Sequence, residues 1–422
     1  MSYLSGLGIS ERTAQLFDRA EQRLTEQFYQ IERRAEHNAA KVLQAFWNNG
    51  VSDAHFGSTT GYGYDDLGRE TLDKIYAEVF GGEDALVRHS IVSGTHALAL
   101  CLYGLLRPGD VLLSAAGKPY DTLEEVIGIS GQGSGSLKEF GVEYRQAELT
   151  AEGKLDIPGV LAQMDERVKV VWLQKSKGYG WRDSLNNKDI GRFCRAVKEQ
   201  FPKCICAVDN CYGEFVEEQE PLEVGADLIA GSLIKNPGGG LAPGGAYIAG
   251  KHPLVELASY RLTAPGIGRH EGATLGNNRS LYQGLFMAPH TVAQNLKTAA
   301  LCGAVLEDLG FAVHPSFGAP RYCTIQAVRF EDEKKLISFC QGIQKGSPVD
   351  SFAAPQPWAM PGYQHQVIMA AGTFVQGATS ELSADAPIKE PYIAYVQGGL
   401  TYETAKIGLM KAVQNMMDEA LH

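Results

Sequence analysis

The eight cysteines of this 422-residue chain are scattered, and no two of them stand at C-x-x-C spacing. That removes the usual thiolate metal knuckle and the dithiol redox pair. No metal centre is expected, even where Cys204, Cys206 and Cys211 come close in sequence; buried reduced thiols are. Apolar runs are short as well, and none approaches the roughly 18 residues a membrane-spanning helix requires. The opening residues, Met1-Ser2-Tyr3-Leu4-Ser5-Gly6, lack a basic stretch followed by an apolar core. No secretory leader is therefore expected, and the cytoplasm is the expected compartment. Basic charge is in deficit, with 38 Lys and Arg against 49 Asp and Glu and a net charge of -11. A nucleic-acid surface or a polybasic membrane contact is excluded on that balance, although a local basic pocket for an anion is not.

What the chain does have is alternation. Residues 10–49 read as helical, with Leu16, Phe17, Ala20, Leu24 and Phe28 spaced for one apolar face. Residues 56–69 read as a loop in which four glycines surround Tyr62, Tyr64, Asp65 and Asp66, and a helix follows over 70–80. Short apolar strands are then predicted at 86–92, 111–114, 168–173, 205–208, 228–230 and 246–249, with a helix over 95–106. Strands alternating with helices indicate an α/β fold with a largely parallel sheet covered on both faces. A helix over 291–309 leads to a second set: strands at 321–328, 367–371 and 392–396, and helices over 331–344 and 401–420. The expected organisation is an N-terminal helical and loop segment (1–85), a large domain (86–290) and a smaller C-terminal α/β domain (291–422).

Lys235 carries the chemistry. It stands between the apolar stretch Asp227-Leu228-Ile229-Ala230 and the turn Asn236-Pro237-Gly238-Gly239-Gly240. Burial there disfavours the ammonium form and suits Schiff-base formation with an aldehyde or ketone. Upstream, Cys206-Ala207-Val208-Asp209 puts a carboxylate just beyond a strand's carboxyl end, where ligands bind in open α/β sheets. A lysine for an aldehyde and a carboxylate for a pyridinium nitrogen are what pyridoxal phosphate asks of a protein. Capping a helix over 212–215 is the plainer role for Asp209. Val92-Ser93-Gly94-Thr95-His96 runs from a strand into a helix, whose unpaired first-turn N–H groups and positive dipole end suit a phosphate. Ser93 and Thr95 add hydroxyls and Gly94 permits close approach, though a simple Ser/Thr cap would look the same. Ser232 offers a further hydroxyl, and Tyr120 an aromatic ring to stack on the pyridine face.

These segments resemble fold-type-I pyridoxal-phosphate enzymes related to cystathionine and methionine lyases, and within them the cystathionine β-lyase-like, aluminium-resistance branch. The residues that carry the likeness are Ser93-Gly94-Thr95-His96, Asp209-Asn210-Cys211-Tyr212-Gly213-Glu214 and 232–240, with the longer strings 59–69, 174–179 and 374–385. The resemblance implies a large domain on a mainly parallel seven-stranded sheet plus the smaller C-terminal domain. It implies pyridoxal 5'-phosphate bonded covalently to Lys235, its ring nitrogen on Asp209, and its phosphate on Ser93, Gly94, Thr95 and Ser232. Tyr120 would stack on the ring and assist the leaving group. Tyr62 or Tyr64 would reach the phosphate of a neighbouring subunit, in a homodimer or homotetramer. Where the family carries arginines, this chain has Lys175, Lys177 and Lys389. Lysine cannot reproduce the two parallel hydrogen bonds by which arginine grips a carboxylate. Arg182, Ser380 and Lys389 stand as candidate substrate contacts, with a surface ion pair the plainer role for Arg182.

The implied activity is a carbon–sulfur lyase acting on a small sulfur-containing amino acid by Cα deprotonation and elimination, with Lys235 and Tyr120 as catalytic groups. Transamination or a replacement reaction on the same cofactor is one alternative. A non-catalytic binding protein on the same fold is the other.

Overall fold

In the computed structural model, which describes residues 2–360 and 362–419, twelve strands form two sheets. The first holds β1 (Asp84–Arg88), β2 (Val111–Ser114), β3 (Glu143–Gln146), β4 (Val168–Gln174), β5 (Ile205–Asp209), β6 (Leu228–Ser232) and β7 (Ala246–Gly250). Their order is β1-β7-β6-β5-β4-β2-β3, and β7 alone runs against its neighbours, so the sheet is seven-stranded and mainly parallel. Every residue of β2, β5, β6 and β7 is buried, as expected where helices cover both faces. In this sheet the strand that sequence patterning missed is β3, whose Glu-Tyr-Arg-Gln sits at the sheet edge and is partly exposed throughout, as it missed the strands at 312–314 and 383–387 of the second sheet. β3 has no apolar alternation to read.

The second sheet, in order β10-β11-β12-β9-β8, is antiparallel. Its strands are β8 (Ala312–His314), β9 (Gln326–Arg329), β10 (Val367–Ala370), β11 (Ser383–Pro387) and β12 (Ile393–Gln397). Helices Glu333–Lys345 and Tyr402–Glu419 cover one face, burying Ile368, Ala370, Ala384, Ala386, Ala394 and Val396. The period of two then turns Met369, Ser383, Asp385, Tyr395 and Gln397 to the other face. That face meets the segments that follow β4 and β5, where Tyr395, Cys323, Ile325 and Ala327 pack with Tyr179, Trp181 and Tyr212.

Helix Asn278–Asp308 is continuous through residue 290, with Pro289 inside it, and feeds both cores. The stretch read as one helix over 10–49 is two, Glu11–Arg23 and Thr25–Asn48. Leu16, Phe17, Ala20 and Leu24 join the core of the second sheet, whereas Ile31, Val42 and Ala45 join that of the first. The N-terminal helices thus clasp both parts of the chain. No helix among the described residues is long and apolar enough to cross a membrane.

Candidate active site

In a parallel sheet the carboxyl ends of the strands share one edge, and loops leaving that edge can converge. Here β1 leads to Ser93 and β2 to Tyr120, β4 ends at Gln174, β5 ends at Asp209, and β6 ends at Ser232 and continues to Lys235. These residues line one cavity of about 240 Å³, closed from the second sheet by Met369, Ser383 and Asp385 and from a loop by Tyr363. Of the sequence-predicted site residues, Lys235, Asp209, Ser93, Gly94, Thr95, Ser232 and Tyr120 all meet there.

Ser93 caps helix Gly94–Leu105, its Oγ accepting from the His96 N–H at 3.1 Å, while the first-turn amides beside it have no acceptor within the helix. A Cβ on Gly94 would lie 3.4 Å from both Ser232 Cβ and Cys211 Sγ, so the helix start, Ser232 and Cys211 enclose one small space. The cap and the candidate anion-binding residues therefore belong to one turn. Asp209 caps no helix: Tyr212–Phe215 is a turn, and Asp209 Oδ1 accepts from the Cys211 N–H at 3.1 Å. Burial pushes the Asp209 carboxyl up, against the opposing pull of Lys235.

That turn explains a residue sequence reasoning overlooked. Tyr212 and Phe215 hold left-handed φ values of 69° and 61°, which cost on the order of 1–3 kcal/mol each for residues other than glycine. Asn38 Nδ2 donating to the Phe215 carbonyl at 3.0 Å and the Phe215 N–H donating to Glu220 Oε1 at 2.8 Å keep it in place. The result puts the Tyr212 ring 4.2 Å from Lys235 Nζ. Lys235 is also fixed through its backbone, whose carbonyl accepts from Ser380 Oγ at 2.8 Å. The glycines that follow answer to packing: a Cβ on Gly238 would fall 1.6 Å from the Leu233 carbonyl oxygen, and one on Gly239 2.2 Å from that of Gly284.

The expected deprotonation of Lys235 by burial is corrected by its surroundings. Burial does act downward, but Cys211, Tyr212, Asp209 and Glu214 act upward and prevail, so the ammonium is favoured. Burial pushes the Glu214 carboxyl up to about 8, and the Tyr247 hydroxyl donates to its Oε1 at 3.0 Å. A carboxyl whose pKa rises on folding stabilises the fold fully below its ordinary pKa, and that contribution is lost as pH climbs through the folded value. Wild-type stability is therefore expected to fall between about pH 5 and pH 8 by on the order of 1–3 kcal/mol more than that of Glu214→Gln. Urea midpoints of the two proteins at both pH values, at equal cofactor loading, check this; parallel pH trends would contradict it.

Other expected contacts move. Arg182 makes no surface ion pair: its guanidinium donates to the carbonyls of Ser176 at 2.6 Å and Asp183 at 2.8 Å. Ser380 is buried against Lys235 and does not line the chamber, and Lys389 is exposed in a neighbouring cleft with Lys177 and Arg182. Lys175 is buried and paired with Glu217 at 3.0 Å, and Lys177 donates to the His314 carbonyl at 2.7 Å. Tyr62 and Tyr64 are 69% and 56% exposed, stack on each other, and lie outside this chain's chamber. Asp385, Tyr363, Cys211 and Tyr212 are among the chamber residues to which sequence reasoning gave no role. The polar–Ala alternation of Ser383-Ala384-Asp385-Ala386 was the available signal for Asp385.

The family model for methionine gamma-lyase matches residues 13–417. The chain belongs to the methionine gamma-lyase family. An uncharacterized Bacillus subtilis protein, YnbB, is 54% identical over 393 residues, 93% of each chain. A solved structure from Clostridium novyi, described as a carbon-sulfur lyase involved in aluminum resistance, is 50% identical. It superimposes with a TM-score of 0.94, over 98% of this chain and 97% of that one. The methionine gamma lyase CalE6 of Micromonospora echinospora shares the fold at 20% identity and a TM-score of 0.56, over 86% of this chain and 93% of that one. This family member is thus a pyridoxal-phosphate-dependent carbon–sulfur lyase by class, and its cofactor is pyridoxal 5'-phosphate. The chamber fits that group: a lysine, a buried carboxylate and a helix start with two flanking hydroxyl residues line one cavity.

Proposed function

We propose that the protein cleaves the carbon–sulfur bond of a sulfur-containing amino acid, releasing a thiol, ammonia and a 2-oxo acid. The convergence of Lys235, Asp209 and the Ser93-Gly94-Thr95 turn on one chamber carries this reading. Lys235 would hold the cofactor covalently, Asp209 its ring nitrogen, and Ser93, Gly94, Thr95 and Ser232 its phosphate. When bound, pyridoxal 5'-phosphate supplies the electron sink that lets a Cα–H bond ionise.

The chain's own groups do the rest. Asp209, buried where it cannot be solvated, is stabilised by a cationic N–H and keeps that nitrogen protonated. With its charge so engaged, Asp209 would hold the proton on Lys235 less strongly, and Nζ would take the Cα proton. Tyr120 is driven well above its ordinary pKa by burial, so its hydroxyl keeps its proton at neutral pH and serves as a donor to the departing sulfur. The neighbouring Tyr363 hydroxyl, 3.0 Å away, orients it. The exposed Tyr62 and Tyr64, outside the lining of this chamber, suit a homodimer or homotetramer in which each chain completes its neighbour's site. Eight buried free thiols suit the reducing cytoplasm.

The test is product analysis with a panel of sulfur amino acids. Thiol and 2-oxo acid released in equal amounts, without an added amino acceptor, are expected, and Tyr120→Phe should slow release by roughly 10²-fold. Amino transfer to an added 2-oxo acid in place of thiol release would overturn the reading.

A further inference from the structure

The loop that carries Tyr62 and Tyr64 is exposed at its tip, yet its base is locked. Arg69, in the first turn of helix Leu67–Phe80, is buried and lies outside this chain's chamber. Among the described residues its one ion-pair partner is the half-exposed Glu70, at 3.5 Å. A buried cation there is unfavourable twice, by lost hydration and by the positive end of the helix dipole. Its other hydrogen bonds go to backbone carbonyls of two separate loops. Nη1 donates to Gly63 at 2.6 Å and to Gly272 at 2.7 Å, and Nη2 donates to His270 at 3.4 Å. Asp66 ties the same two loops, its Oδ2 accepting from Thr59 Oγ1 at 2.5 Å and Thr274 Oγ1 at 2.6 Å. The Gly272 N–H donates to the Tyr62 carbonyl at 2.8 Å. Contact is close enough that a Cβ on Gly63 would fall 2.7 Å from Ala273 Cα. At the tip the Tyr62 and Tyr64 rings stack at 5.5 Å, and the Tyr64 hydroxyl donates to Glu271 Oε1 at 2.7 Å. The Tyr62 hydroxyl has no partner among the described residues. Tyr64 is thus engaged within its own chain, and Tyr62 keeps its hydroxyl for a group outside it.

We infer that Arg69 is a positioning residue that acts across the subunit boundary: it locks the Tyr62 loop onto residues 270–275, so that Tyr62 is presented to the cofactor phosphate of the neighbouring chain. The inference rests on the reading that each chain completes its neighbour's site, and adds the residue that aims the contact. Arginine suits the task because its planar fork holds several carbonyls at once, which a single ammonium cannot do. A loop fixed beforehand also spares the ordering cost that a loose one would subtract from cofactor affinity.

Arg69→Lys keeps the charge and removes the fork. Cofactor affinity, read by titrating pyridoxal 5'-phosphate into the stripped protein and following the visible absorbance, should weaken by roughly tenfold, the scale of one charge-assisted hydrogen bond. The decisive arm is a hybrid dimer of one Arg69→Lys chain and one Lys235→Ala chain, isolated through two different tags. It holds a single borohydride-reducible site, made of Lys235 from the first chain and the intact loop of the second. That site should regain wild-type affinity. Affinity that stays weak in the hybrid would place the effect within the chain that carries Arg69→Lys and overturn the inference, as would wild-type affinity in the unmixed Arg69→Lys protein. Thr274→Val, which cuts the Asp66 clasp instead, should behave in the same way and serves if Arg69→Lys does not fold. Chains that stay monomeric would overturn the shared site and the inference together. None of these titrations needs turnover, so thiol release by the wild type judges the lyase reading separately.

Discussion

Lys235→Ala is expected to lose carbon–sulfur cleavage by roughly 10³-fold or more, because it removes both the covalent attachment point and the base for the Cα proton. The purified variant should also lack a borohydride-reducible yellow chromophore after reconstitution with the cofactor under wild-type conditions. It should still fold. Truncation leaves Asp209, Asp385 and Glu214 without the cation that now pulls their pKa values down, and each can take up a proton to relieve the loss. Far-ultraviolet circular dichroism and turnover on the same sample check both halves. A folded variant that kept within tenfold of wild-type turnover would show that another group does this work.

Asp209→Asn is the second large effect, a fall of about 10²–10³-fold in turnover, the scale seen when one preorganised electrostatic partner of a developing charge is removed. The substitution is conservative in shape: an amide oxygen can still accept from the Cys211 N–H. What it removes is the negative charge that keeps a ring nitrogen protonated. The visible absorption of the bound cofactor, which responds to that proton, should change along with the rate, whereas a merely structural role for Asp209 would lower stability and leave the spectrum alone. Turnover within threefold of wild type with an unaltered spectrum would contradict the assignment.

The residues legible in the sequence are those whose position follows from a strand's end. Asp209 and Lys235 are flanked by short buried apolar runs, and a parallel sheet brings such ends to one edge whatever the intervening helices do. Asp385 was not legible in that way. It lies mid-strand in β11, and its neighbours Ala384 and Ala386 are too small to mark a core face plainly. Tyr212 depends on a left-handed turn held locally by Glu220 and, across 177 residues of sequence, by Asn38, a contact no local pattern signals. The direction of the Lys235 shift was misjudged for a related reason. Burial of one residue can be read from its flanks, but the carboxylates that oppose its effect arrive from β5 and the turn beyond it. Arg182 and Ser380 show the same limit: both are polar residues beside the chamber whose hydrogen bonds go to backbone carbonyls, a role that residue type alone does not signal.

The most direct measurement is to reduce the wild-type holoenzyme with borohydride, digest it, and find by mass spectrometry which peptide carries the pyridoxyl group. The expected result is a single modified residue, Lys235, with the buried Lys175 and Lys177 unmodified. A pyridoxyl group on either of those lysines, or on none, would contradict the site as built here.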